Sequence, residues 1–145
     1  MGLQVKEISE DYIRAAIRRA FPRNDRNTRS MRNEAYYIIS RLSSMYLKDE
    51  EDLRRAIYNL GYSENTYLRL RSFLVAFFFP EQLVEATVKI KRAMNNHEME
   101  EKELRRRSGL SRTIFYMALY RLAIEGFLKR EANGSKRTVV RLIYI

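Results

Sequence analysis

Cysteine and tryptophan are absent from the chain, and histidine occurs once, at His97. Without thiols there is no disulfide, thiolate zinc site, iron–sulfur cluster or cysteine nucleophile, a composition that fits a reducing compartment. A single histidine excludes paired-histidine metal or proton-relay chemistry. His97 lies beside a helix start and reads as a surface residue. The five glycines are scattered singly, so no phosphate-cradling loop is encoded. A tyrosine-recombinase reading needs an arginine three residues after the histidine, and position 100 is glutamate. The carboxylates cluster at helix starts, Asp49 to Asp52 and Glu98 to Glu103, where dipole complementarity accounts for them. No enzyme is expected, and no cofactor or metal.

Long apolar runs are also missing. The longest, Phe73 to Pro80 (FLVAFFFP), is far shorter than the roughly 20 residues that span a bilayer. The opening MGLQVKEISEDYIRAAIRRA lacks a signal-type apolar core. The expectation is a soluble, cytoplasmic protein with no membrane partner, in the host cytoplasm if the source is viral.

Positive charge is what the chain has in excess. Its net charge is +10, distributed as +5 over residues 1–48, −3 over 49–103 and +8 over 104–145. Such a balance suits a polyanionic partner, nucleic acid or an anionic surface, without choosing between them.

Helical periodicity dominates the first two thirds. Ile8, Tyr12, Ala16, Ile17 and Ala20 form the apolar row of a first helix that ends at Pro22. PRNDRNTRS, residues 22–30, reads as an exposed arginine-rich loop; Arg23, Arg26, Arg29 and Arg32 either follow phosphates or only connect helices. A second helix is expected over about 31–47, with Ala35, Ile38, Leu42 and Met45 on one face. Asp49 caps a third that stops near Gly61, and Ser63 caps a fourth through Tyr67, Leu70, Phe73, Leu74 and Phe77. Pro80 suits the first turn of a fifth, with Leu83, Thr87, Ile90 and Met94 inward. The rows at 31–47 and 81–96 pack either within one chain or across a homodimer.

The last third changes character. A short helix over 98–108 is followed by a turn at Gly109–Leu110, a helix capped by Ser111 and ended by Gly126, and two strand-like runs around Asn133–Gly134, a strong hairpin signal. Stepping about 100° per residue from Phe115 brings Ala118, Leu119 and Leu122 to one face. Thr113, Tyr116, Met117, Tyr120 and Ile124 fall on the other, with Arg112 at its edge. Gly61, Ser63 and Tyr67 faintly echo Gly109, Ser111 and Phe115, either as a second helix-turn-helix or as a coincidence of capped helix starts.

The order helix, turn, helix, glycine, hairpin resembles the winged helix-turn-helix superfamily of DNA-binding domains. The likeness covers about residues 96–145 and rests on Leu104, Gly109, Leu110, Ser111, the inward row from Phe115 to Leu122, and the exit Gly126-Phe127-Leu128. Arg105 departs from the pattern, since these domains usually carry a small residue there. The composition looks like that of small regulators from hyperthermophilic archaea and their viruses.

The fold implied is mainly α: an N-terminal helical bundle over 1–95, serving dimerisation or partner binding, then a winged helix over 96–145 with a two-stranded β wing. By resemblance, the protein regulates transcription by contacting duplex DNA. Arg112, Thr113, Tyr116 and Tyr120 on helix 111–125 would meet bases or phosphates, and Ser111 would offer its amide to a phosphate. Lys129, Arg130, Lys136 and Arg137 on the wing would grip the backbone. Arg105, Arg106 and Arg107 either touch phosphate or satisfy their own helix terminus. The alternative is a winged-helix docking module in a transcription or replication complex, with a polymerase or primase partner. Its motive is the apolar Met117–Tyr120–Ile124 face and the aromatic Phe77–Phe79 end.

Overall fold

The computed structural model describes residues 8–134 and 137–143. Among these residues seven α-helices and a small three-stranded antiparallel sheet follow one another. Side-chain caps start most of the helices. Ser9 accepts from the Tyr12 amide (3.1 Å) to open α1, Glu10–Ala20, whose acidic first turn and basic last turn both suit the helix dipole. Asp25 accepts from the Thr28 amide (2.7 Å) to open α2, Arg26–Leu42. The expected loop therefore shrinks to a short corner and α2 begins five residues early. RNTRS is polar because it is an exposed first turn, not because it lacks helical structure. Asp49 and Ser63 cap α3, Glu50–Asn59, and α4, Glu64–Phe78, as expected.

A 3₁₀ turn, Pro80–Leu83, runs directly into α5, Val84–Ala93. Strand β1, Glu98–Glu100, then precedes α6, Glu101–Ser108, so the helix expected from residue 98 gives up its first three residues to a strand. Ser111 caps α7, Arg112–Ile124. The hairpin is β2, Leu128–Asn133, and β3, Arg137–Leu142.

Strand order is β1-β3-β2, with Met99 opposite Val140 and Leu128 opposite Leu142. The hairpin expected as a two-stranded wing is joined by β1 in a three-stranded sheet. β1 is too short for its alternation to stand out in sequence, yet Met99 is buried and belongs to the core.

Helix α7 is the axis of the molecule. It packs against α4, α5 and α1, and buries Phe115, Met117, Ala118, Leu119, Leu122, Ala123 and Ile124. One cluster of buried side chains runs from Ile13 on α1 through α4 and α7 to Val140 on β3. The change near residue 95 is therefore one of element type within a common core. Ala35, Ile38, Leu42 and Ile90, weighed above for a dimer seam, are already buried within the single chain. Among the described residues no helix is long and apolar enough to cross a membrane.

Arginines tie the helices together at their ends. Arg19 of α1 donates to the Ala123 and Ile124 carbonyls at the end of α7 (2.5 and 3.0 Å), and Arg121 of α7 donates to the Ala76 carbonyl of α4 (3.2 Å). These cations bind the carbonyl ends of the two helices, where the helix dipole favours positive charge. Part of the positive surplus is structural for this reason.

Candidate nucleic-acid interface

The first turn of α7 opens onto a groove of about 390 Å³. Three other segments meet it there. Lys102 and Arg105 come from α6, Arg137 and Thr138 from β3, and Arg23 from the corner between α1 and α2. Arg112, Tyr116 and Arg130 line it together with Glu100 and Glu101. Six basic side chains thus face two carboxylates. One of those, Glu101, is taken by Arg130, whose guanidinium makes two bonds to it (2.8 and 3.0 Å). A concave surface of this sign focuses positive potential and draws in anions.

Local chemistry aims these groups. Gly109 adopts φ 69° at the end of α6, a left-handed turn that glycine takes without strain. The Ser111 hydroxyl accepts from the Ile114 amide (3.4 Å) and starts α7, so Arg112 leaves the helix at its exposed end.

The expected site residues fall into different settings. Arg105, Arg112, Tyr116 and Arg137 converge on the groove. Ser111 and Thr113 are exposed beside it, with the Ser111 side chain committed to its cap. Arg106 and Arg107 both bond to Glu103, and the two guanidiniums hold its carboxyl down to about 2. Lys129 pairs with Glu131 across 3.0 Å of the same strand. Lys136 lies outside the described residues.

Tyr120 and Arg130 require correction. The Tyr120 ring packs against Phe21 and Phe73, with centroids at 5.4 and 5.8 Å, and its hydroxyl accepts from Arg130 (3.3 Å). The Arg130 side chain is only 14% exposed and also donates to the Ala20 carbonyl (2.8 Å). Both side chains are thus engaged within the fold, while Arg130 also lines the groove. Of the expected outer face of α7 only Arg112, Thr113 and Tyr116 stay accessible, because Met117 and Ile124 are buried and Tyr120 packs on Phe21 and Phe73. Phe77 and Phe79 are likewise buried. The apolar faces that motivated a docking module are therefore filled by the chain itself.

No protein-family model, curated protein or solved structure matches the chain. The site stands on its geometry alone.

Two contributors were missed in sequence. Arg23 was noted only as one of four loop arginines, and Lys102 was read as part of a dipole-matched helix. Nothing local marks either; the packing of α1 beside β2 and of α6 beside β3 brings them into the groove. Enclosure of α7 did leave a trace. After its first turn the helix is apolar nearly all round, a pattern of burial rather than of a surface face.

Proposed function

We propose that the protein binds duplex DNA through this groove, gripping phosphates more than reading bases, and that it regulates transcription with weak sequence preference. The observation that carries the reading is the convergence of Arg23, Lys102, Arg105, Arg112 and Arg137 from four separate segments on one concave face. Phosphate contacts of this kind supply affinity and orientation but little sequence information. The run of α6, the Gly109 turn, α7, Gly126 and the β2–β3 hairpin has the order of a winged helix, which supports the family reading. The mode differs from a helix laid along a groove. Here α7 meets the duplex end-on, since an enclosed helix cannot enter a major groove about 12 Å wide with two others on its flank.

Fluorescence anisotropy on a random-sequence duplex tests this. Five phosphate contacts give a log–log salt slope near −4.5, a loss of roughly 500-fold between 50 and 200 mM salt. Binding that ignores salt, or no binding at low salt, rejects the proposal.

A further inference from the structure

A second groove lies on the other side of α1, lined by Arg14 and Arg18 of α1 and by Arg32, Asn33 and Tyr36 of α2. It resembles the first in make-up. Each has a tyrosine wall beneath an arginine: the Arg14 guanidinium lies 4.1 Å from the Tyr36 ring centre, and that of Arg130 lies 5.8 Å from Tyr116. The charges again favour an anion. Glu10 is engaged by Arg14 at 2.9 Å, and Asp25 is turned to its capping role at the start of α2.

One lining arginine from each groove reaches the end of α1. Arg130, from the first, donates to the Ala20 carbonyl (2.8 Å), and Arg32, from the second, donates to the next carbonyl, that of Phe21 (3.0 Å). Adjacent residues are separated by about 3.8 Å between Cα atoms, which puts the two guanidinium nitrogens no more than about 12 Å apart. A strand advancing about 3.4 Å per nucleotide crosses that interval in about four nucleotides. Arg23 projects from the same corner, two residues past Phe21, and lines the first groove.

We infer that the two grooves form one continuous track for a phosphodiester backbone, so that the N-terminal helices are part of the nucleic-acid surface. Arg18 is its outer contact, Arg14 being held by Glu10 much as Arg106 is held by Glu103, and Arg32 and Arg130 fix the corner between the halves. The inference rests on the duplex-binding reading above and extends it to residues the winged-helix likeness does not cover.

The experiment compares salt slopes on one 20-base-pair random-sequence duplex, a length chosen as roughly two helical turns. Three full-length proteins are titrated: wild type, Arg14→Ser/Arg18→Ser, and Arg112→Ser/Arg137→Ser. The expected wild-type slope is near −5.4, from the five contacts of the first groove plus Arg18; it becomes less steep by about one in the Arg14/Arg18 variant and by about two in the Arg112/Arg137 variant. Arg18→Ser alone guards against a folding artefact, because Arg18 is exposed; its slope should change by about one. A wild-type slope in both Arg18 variants, with the Arg112/Arg137 variant weakened, overturns the continuous track and leaves the first groove standing. Absence of wild-type binding removes the duplex-binding reading itself, and the track with it.

Discussion

Arg130 and Glu101 form a two-pronged ion pair, at 2.8 and 3.0 Å, with side chains only 14% and 8% exposed. The pair joins β2 to the head of α6, and the same guanidinium reaches the end of α1. It is thus the junction at which hairpin, α6 and N-terminal helices lock. Removing one partner leaves a charge stranded away from water. Arg130→Met should therefore destabilise the fold by about 3–5 kcal/mol, and adding Glu101→Gln should restore much of that loss. Urea unfolding of the two variants measures it, and equal stability of single and double variants would contradict the account.

Charge alone does not decide which arginines bind. Arg106 and Arg107 stand in the same run as Arg105 but share Glu103, whereas Arg105 lines the groove. Arg105→Ser should flatten the salt dependence of DNA binding by about one, while Arg106→Ser/Arg107→Ser should leave it within about half of that. Anisotropy titration over a salt series separates them.

Tyr120 was expected at the DNA and lies instead against Phe21 and Phe73. Tyr120→Ala should accordingly cost about 3 kcal/mol of stability by opening a cavity. The folded fraction should keep wild-type affinity. A melt and a binding isotherm on the same sample distinguish the two roles. Wild-type stability with lost binding would reverse the assignment.

Tyr67 of α4 donates to Glu50 of α3 (2.5 Å), and Arg71 bonds to the same carboxylate. Burial first, and the bond to Glu50 second, push the Tyr67 hydroxyl up from 10.0 to about 12. The raised value means the folded state favours neutral tyrosine. Its stabilisation is complete below pH 10 and declines as pH rises toward 12. Glu50 shifts the other way, held below its ordinary value chiefly by Arg71, so its contribution is present at neutral pH and lost in acid. Tyrosinate absorbance should show several late-titrating groups, since burial also raises Tyr62, Tyr116 and Tyr120, and Tyr67→Phe should remove one of them. Glu50→Gln should diminish the acid sensitivity of the melting temperature.

Local signals in the sequence located much of the framework. Asp49, Ser63 and Ser111 cap helices because a side-chain oxygen three residues upstream satisfies an amide that the helix cannot. The Gly61–Ser63–Tyr67 echo has the same local form as Gly109–Ser111–Phe115: a positive-φ glycine (95° and 69°), a serine cap and a buried aromatic. β1 escaped notice because three residues carry too little alternation, and its pairing with β3 depends on a segment forty positions away. The candidate site was only half legible. Arg105, Arg112, Tyr116 and Arg137 were in view, Arg23 only as one of four loop arginines that could follow phosphates, and Lys102 not at all.

The capped starts of α3, α4 and α7, the Asn133–Gly134 hairpin signal and the positive surplus of the last third were determined by the sequence alone. All of them depend on contacts within a few residues or on composition. Which arginines complete helix ends, which share a carboxylate and which line an open groove was decided only when α1 and α4 closed over α7. A guanidinium carries the same charge in every setting. Its role follows from the carbonyls and carboxylates that folding brings within about 3 Å of it, and distant parts of the chain supply those.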